Sequence, residues 1–178
     1  MKLHISNIPA ESGMQINASS SKDEWLKKVF IEVFGPDKFK KEDGGRLDLQ
    51  IFRSDRNLTL IGGIILKFHP SCDRCLTSFA KQEQVPIHQI MAPAHTKGKK
   101  KVEMDVEDED FGYYKNDEID LSDVAKEYIL LAQQMVNLCN EECKGLCQKC
   151  RKNLNNGPCK CKVKKEKDSP FAVLKKLH

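Results

Sequence analysis

The sequence predicts an α+β fold: a small antiparallel β-sheet, open or closing toward a barrel, packed with two or three helices and followed by a cysteine-rich hairpin. Three observations predict it. Apolar and polar residues alternate in short runs between Lys2 and Ile90, the mark of half-buried strands. Two longer stretches carry apolar residues at helical spacing. Eight cysteines fall into close pairs, most of them near the C-terminal end.

The elements follow in order. Leu3 and Ile5 alternate with Lys2, His4 and Ser6, a first strand over Lys2–Ile8. Trp25, Leu26, Val29, Phe30, Val33 and Phe34 share one face of a helix over 22–34. Ser21 and Glu24 have the spacing of a capping box at its start, and Gly35-Pro36 stops it. Leu47, Leu49 and Ile51 then alternate with polar residues, and Ser54-Asp55-Arg56-Asn57 reads as a turn. Leu58 and Leu60 resume the alternation. Ile64, Leu66 and Phe68 continue it after Gly62-Gly63, a pair that predicts a bulge or sharp bend. This second strand of a hairpin runs into Cys72-Asp73-Arg74-Cys75. A further strand across Phe79–Ile90, with Val85 and Ile87 on one side, pairs back.

Residues at about 92–118 break the pattern and read as an acidic loop, with Lys97–Lys101 basic and 103–110 acidic. A second helix over 121–136 is capped by Asp120, with Asp123 at its positive end. Leu121, Val124, Ala125, Tyr128, Ile129, Ala132, Met135 and Val136 form its apolar face. Ser169-Pro170 opens a short last helix carrying Phe171, Val173, Leu174 and Leu177. Residues 1–138 are thus expected to form an α+β domain, and 139–178 a cysteine-rich segment with a C-terminal helix.

Composition narrows the function classes. Only 39% of the 178 residues are apolar, and the longest near-apolar run is Leu60–Leu66. A spanning helix needs about 20 apolar residues, so no membrane span is expected. The N-terminus lacks the apolar stretch of a secretory signal, which points to a cytoplasmic protein with reduced thiols. Reduced cysteines at this density point to metal rather than disulfides.

Four close pairs, Cys72/Cys75, Cys139/Cys143, Cys147/Cys150 and Cys159/Cys161, suit two tetrahedral four-thiolate sites, and zinc is the metal that favours them. Cys147, Cys150, Cys159 and Cys161 form the compact local unit, a zinc-ribbon-like metal hairpin turned by Asn153, Asn155, Asn156 and Gly157. Cys72, Cys75, Cys139 and Cys143 would form the other site, so one or two structural zinc ions are expected. Other assignments stay open. His69 could replace a thiolate, ligands could be exchanged between the sets, and Cys72/Cys75 could be a redox pair. Cys139, Cys143 and Cys147 could line a continuing helix, against which Gly145 argues.

Charge is unevenly spread. Residues 103–127 hold eleven acidic and two basic side chains; residues 144–178 hold eleven basic and two acidic, an excess of nine. Lys149, Arg151, Lys152, Lys160, Lys162, Lys164 and Lys165 are the candidate RNA-binding residues, with Lys144 beside them. No phosphate loop, Ser-His-Asp order or H-E-x-x-H motif occurs, and a metal closed by four thiolates has no position for water. No enzymatic activity and no small-molecule substrate are expected.

These pieces together resemble the YceD-like family, the large ribosomal RNA subunit accumulation proteins. The resemblance rests on Cys72-Asp73-Arg74-Cys75-Leu76 and, past the acidic loop, Glu118-Ile119-Asp120-Leu121. It continues through the helix with Glu127 and Leu130-Leu131, Cys139-x3-Cys143, Gly145-Leu146-Cys147-x2-Cys150, Asn153-Leu154-Asn155, Cys159-x-Cys161, and Phe171 to Leu177. It covers roughly residues 45–178. Arg151 stands where many relatives have Gly, and Asp168-Ser169-Pro170 replaces the usual Asp-Pro-Arg. The resemblance implies zinc in the cysteine cluster and a bacterial or organellar factor for 23S ribosomal RNA accumulation, processing and large-subunit assembly. Its partner would be precursor ribosomal RNA or a large-subunit ribosomal protein. A protein-binding adaptor without RNA contact and a Cys72/Cys75 redox protein are the alternatives.

Overall fold

The computed structural model describes residues 1–36, 39–40, 42–94 and 111–161. The charged stretch 97–110, the last helix and Lys162, Lys164 and Lys165 lie outside them. The chain divides into two compact units. One is Met1–Pro70 with Ser78–Met135; the other is Ser71–Thr77 with the chain from Val136 onward. The boundary therefore falls before residue 138, and a short excursion around Cys72 and Cys75 belongs with the C-terminal segment.

The larger unit is α+β. Its strands are β1 (Lys2–His4), β2 (Met14–Ser19), β3 (Gly44–Ser54), β4 (Asn57–Phe68), β5 (Lys81–Pro93), β6 (Phe111–Tyr114) and β7 (Glu118–Asp120). Its two α-helices are α1 (Glu24–Phe34) and α2 (Leu121–Leu131). The main sheet has the order β2-β3-β4-β5-β6, and β1 pairs with β7 in a separate two-stranded ladder. Alternation places Leu47, Leu49, Ile51, Leu58, Leu60, Ile64 and Leu66 in the core. There they meet Leu26, Val29 and Phe30 of α1 and Leu121, Val124, Ala125 and Ile129 of α2. The β3–β4 hairpin closes at the pair Ser54 and Asn57, with Asp55 in the left-handed region at φ 53°, as the turn sequence requires.

Several expectations are corrected. The sheet is mixed, because β6 runs parallel to β5 with Ile90 opposite Phe111. It is not a barrel: β2 and β6 are its two edges, and no pairing among the described residues closes them. Residues 111–114, inside the expected acidic loop, form β6. Gly62 and Gly63 make no bulge, since the ladder runs through them with Leu49 opposite Gly62 and Asp48 opposite Gly63. A Cβ on Gly62 would lie 2.1 Å from the Asp48 carbonyl oxygen, so glycine here permits close approach of two backbones. The capping box at Ser21 does not form. Asp23 is the N-cap of α1, and its carboxylate accepts instead from the Ser19 N–H at 2.8 Å.

Asp120 caps α2 as expected, accepting from the Ser122 N–H. The helix stops at Leu131, five residues short of the expected end. Asn137 exchanges two hydrogen bonds with Asp73, from the Asp73 N–H to its carbonyl at 2.9 Å and from its own N–H to the Asp73 carboxylate at 2.6 Å. Met135 and Val136, expected on the apolar face, are exposed and give the helix nothing to bury there. Among the described residues no helix is long and apolar enough to cross a membrane.

Candidate metal centre

The smaller unit contains two copies of one backbone device. In Cys72-Asp73-Arg74-Cys75-Leu76-Thr77, the Cys72 N–H donates to the Thr77 carbonyl at 2.9 Å and the Leu76 N–H to the Cys72 carbonyl at 2.8 Å. In Cys147-Gln148-Lys149-Cys150-Arg151-Lys152, the Cys147 N–H donates to the Lys152 carbonyl and the Arg151 N–H to the Cys147 carbonyl, both at 2.9 Å. The residue after the second cysteine is left-handed in each, Leu76 at φ 59° and Arg151 at φ 57°. Arg151 thus occupies a position that favours glycine, and it keeps the turn rather than changing it.

These turns aim their sulfurs at the other cysteine pairs. Cys72, Cys75, Cys139 and Cys143 gather into one group, and Cys147, Cys150, Cys159 and Cys161 into another, with all four sulfurs of each within 4.8 Å of one another. These are the two sets that the spacing picks out, with no exchange between them. Cys72 and Cys143 are 3.8 Å apart, Cys75 and Cys139 3.6 Å, and Cys147 and Cys159 3.3 Å. A disulfide would need about 2.05 Å. A tetrahedron of metal–sulfur bonds of about 2.3 Å has an edge of about 3.8 Å. The spacing fits a shared metal and excludes bridges in this state; all eight cysteines are free. His69 takes no part: its Nδ1 lies 2.6 Å from the buried Asp43 carboxylate. No helix carries Cys139, Cys143 and Cys147 together.

Electrostatics says why a cation belongs here. Burial pushes the Cys72 thiol up, but backbone N–H groups of Cys139, Cys75 and Arg74 outweigh it and bring it down to about 6. Cys139, although exposed as a residue, is pushed up to about 12 by local desolvation of its sulfur and by the sulfurs of Cys75, Cys143 and Cys72. The second site repeats the split. Backbone N–H groups of Cys150 and Lys149 bring Cys147 to about 6, while the neighbouring Cys150 and burial push Cys161 to about 12. In each group, then, backbone N–H groups favour thiolate while the crowding of four sulfurs opposes it. A dication among them removes that conflict.

Groups around the sulfurs tie the two sites together. The Asn155 side-chain amide donates to the Cys143 sulfur at 3.2 Å, and its carbonyl accepts from the Lys144 N–H at 2.8 Å. The Asn153 amide donates to the Thr77 hydroxyl at 3.1 Å. Both asparagines lie in the 147–161 segment yet serve the first site. The Arg74 carbonyl accepts from the Leu146 N–H at 3.1 Å, and the Arg74 guanidinium donates to the carbonyls of Glu141 and Cys143. Gly145, left-handed at φ 70°, lets this crossing happen, since a Cβ there would stand 3.1 Å from the Arg74 carbonyl oxygen. Sequence reasoning assigned these asparagines only to a turn; nothing in their spacing announces a contact with Cys143. Of the candidate RNA-binding residues, Lys149, Arg151, Lys152 and Lys160 are exposed around the second site, as is Lys144.

A sequence model of one family, described as large ribosomal RNA subunit accumulation protein YceD, matches residues 64–178. No curated protein and no solved structure matches the chain. The match starts within β4, so β3 and the hairpin turn, within the expected range from residue 45, lie outside it. It takes in all eight cysteines and well over half of the sequence, and the chain therefore belongs to the YceD family, named for the accumulation of large-subunit ribosomal RNA.

Proposed function

We propose that this protein is a non-enzymatic cytoplasmic factor of large-subunit assembly whose C-terminal segment, stiffened by two zinc ions, contacts precursor ribosomal RNA through its basic surface. The observation that carries the reading is the gathering of eight reduced cysteines into two four-sulfur groups, one of them ringed by exposed Lys and Arg. Cys72, Cys75, Cys139 and Cys143 would hold one ion, and Cys147, Cys150, Cys159 and Cys161 the other. Zinc held by four thiolates supplies a cross-link and no reactive position. What the residues do is fix the two knuckles, and with them the direction of Lys149, Arg151, Lys152 and Lys160. Zinc in the second site offsets part of its thiolate charge; of the excess of nine over residues 144–178, seven remain. Basic side chains held on a metal-fixed element bind phosphates in a salt-dependent way.

The test has two arms. Metal analysis of reduced, folded protein should find two zinc ions per chain; a folded preparation without zinc, or with native disulfides, overturns the reading. Reversal of Lys149, Arg151, Lys152 and Lys160 to Glu should weaken binding to precursor ribosomal RNA and flatten its salt dependence with zinc content unchanged. An unmoved salt slope together with crosslinks only to a ribosomal protein would favour the adaptor reading.

A further inference from the structure

The main sheet of the larger unit has two faces, and they are treated differently. The inward residues of β3, β4 and β5 meet α1 and α2 in the core. Their neighbours in sequence point the other way. Register lines these outward residues up in rows across the sheet. Phe52, Thr59, Ile90 and Phe111 stand side by side on β3, β4, β5 and β6. Gln50, Ile61 and His88 form the next row. Tyr113, opposite Ala92, extends the patch along β6, and its ring meets that of Phe111 edge to face with centroids 5.8 Å apart.

A sheet with one covered face normally turns polar residues toward water on the other. Here three aromatic rings and two isoleucines stand together on the open side. Phe52 is 42% exposed, Ile61 43% and Tyr113 64%. A contiguous apolar patch of this kind marks an interaction surface.

Charge and size select the occupant. Neither row contains Asp, Glu, Lys or Arg. Arg46 and Asp48, farther along the same face of β3, pair with each other at 3.1 Å. RNA, or a strongly charged protein, needs an opposite charge that this patch does not carry. A second copy of the same patch needs none. The five strands average about nine residues, and at about 4.8 Å between strands and about 3.4 Å per residue they span roughly 700 Å². A stable interface takes about 800 Å² from each partner.

We propose that a second copy of this chain packs on this face, sheet against sheet, to form a twofold dimer. A twofold axis lying in the interface, parallel to the strands and between β4 and β5, reverses the strand order. It sets Phe52 against the partner's Phe111 and Thr59 against the partner's Ile90, so the row of four meets itself. Side chains of the two faces then interdigitate across about 10 Å. The inference needs neither metal site and no RNA contact, so it stands or falls apart from them.

The experiment is sedimentation velocity on the full, zinc-loaded, reduced chain from about 1 to about 200 μM. The expected result is a reversible monomer–dimer equilibrium. Ile61→Lys and Phe52→Lys each bring two charges into the dimer and should raise its dissociation constant more than about tenfold. The Tm of the dilute variants should stay close to that of the dilute parent chain, because both positions already face water. Leu131→Lys, on the exposed side of α2, should leave the equilibrium unmoved. Isotope-filtered NMR on mixed labelled and unlabelled chains needs no substitution, and it should show contacts between Phe52 of one copy and Phe111 of the other. A chain monomeric at about 200 μM, a dimer indifferent to Ile61→Lys, or one weakened equally by Leu131→Lys would overturn the proposal. So would a uridine decamer that shifts the Phe52 and Tyr113 ring signals and dissociates the dimer, which would make RNA the occupant.

Discussion

In the first cysteine site the facing sulfurs come from residues 71 and 64 positions apart; in the second, Cys147 and Cys159 are 12 apart. The backbone knuckle is the same in both, so what separates them is the chain that must be closed. Closing a loop of about 70 residues rather than about 12 costs roughly 1.6 kcal/mol more entropy. The first site therefore depends on the strands between its halves having folded, whereas the second can form from its own segment. Burial follows the same division. Cys72, Cys75 and Cys143 are buried in the first site, and only Cys147 in the second. The first site is a clamp between distant segments; the second is a local scaffold with basic residues around it.

That comparison breaks most decisively on cysteine removal. Cys143→Ser should cost more stability than Cys159→Ser, by about 1–3 kcal/mol, because it leaves Cys72 and Cys75 buried without a fourth ligand. Each variant should lose one zinc ion, read by metal analysis beside a thermal melt. Equal losses of Tm would mean that the two sites carry the same share of the fold. A smaller effect probes the link between them. Asn155→Asp places a carboxylate where an amide donates to the Cys143 sulfur, and should weaken zinc at the first site by about 10–100-fold. The substitution lies in the second site's segment, so competition with a chelator, followed on each site's own cysteine signals, distinguishes a coupled pair from two independent sites. The smallest effect sharpens their likeness. Leu76→Gly and Arg151→Gly should each stabilise by up to about 1 kcal/mol, since each relieves a left-handed residue at the matching point of its knuckle. Glycine's extra freedom in the unfolded chain offsets part of that gain. A gain at one knuckle only would show that the two turns are not equivalent.

The hairpin around Asp55-Arg56, the inward residues of β3 and β4, and the cap at Asp120 were all legible, because each depends on residues within a few positions. The compact set Cys147, Cys150, Cys159 and Cys161 was legible for the same reason, and Cys72, Cys75, Cys139 and Cys143 followed as the remaining pairs. The capping box at Ser21 failed because the Asp23 carboxylate found the Ser19 N–H instead. The end of α2 failed because Met135 and Val136, read onto its apolar face, are exposed and find no core to cover. Gln89 was unremarkable within a strand of mixed polarity; only its neighbours show that its oxygen lacks a donor among the described residues.

By itself the sequence determined the α+β class, the end of α1 at Gly35, the start of α2, the central hairpin and the compact second set of four thiols, because periodicity and short turns are local properties of a chain. Tertiary structure decided that β6 lies parallel on β5, that β1 finds β7, and that Asn155 serves Cys143. It also left a cavity beside Gln89 lined with acids and aromatic rings. Those outcomes join residues far apart in the chain, and what selects them is which buried faces and hydrogen-bonding groups still lack a partner once the local elements have formed.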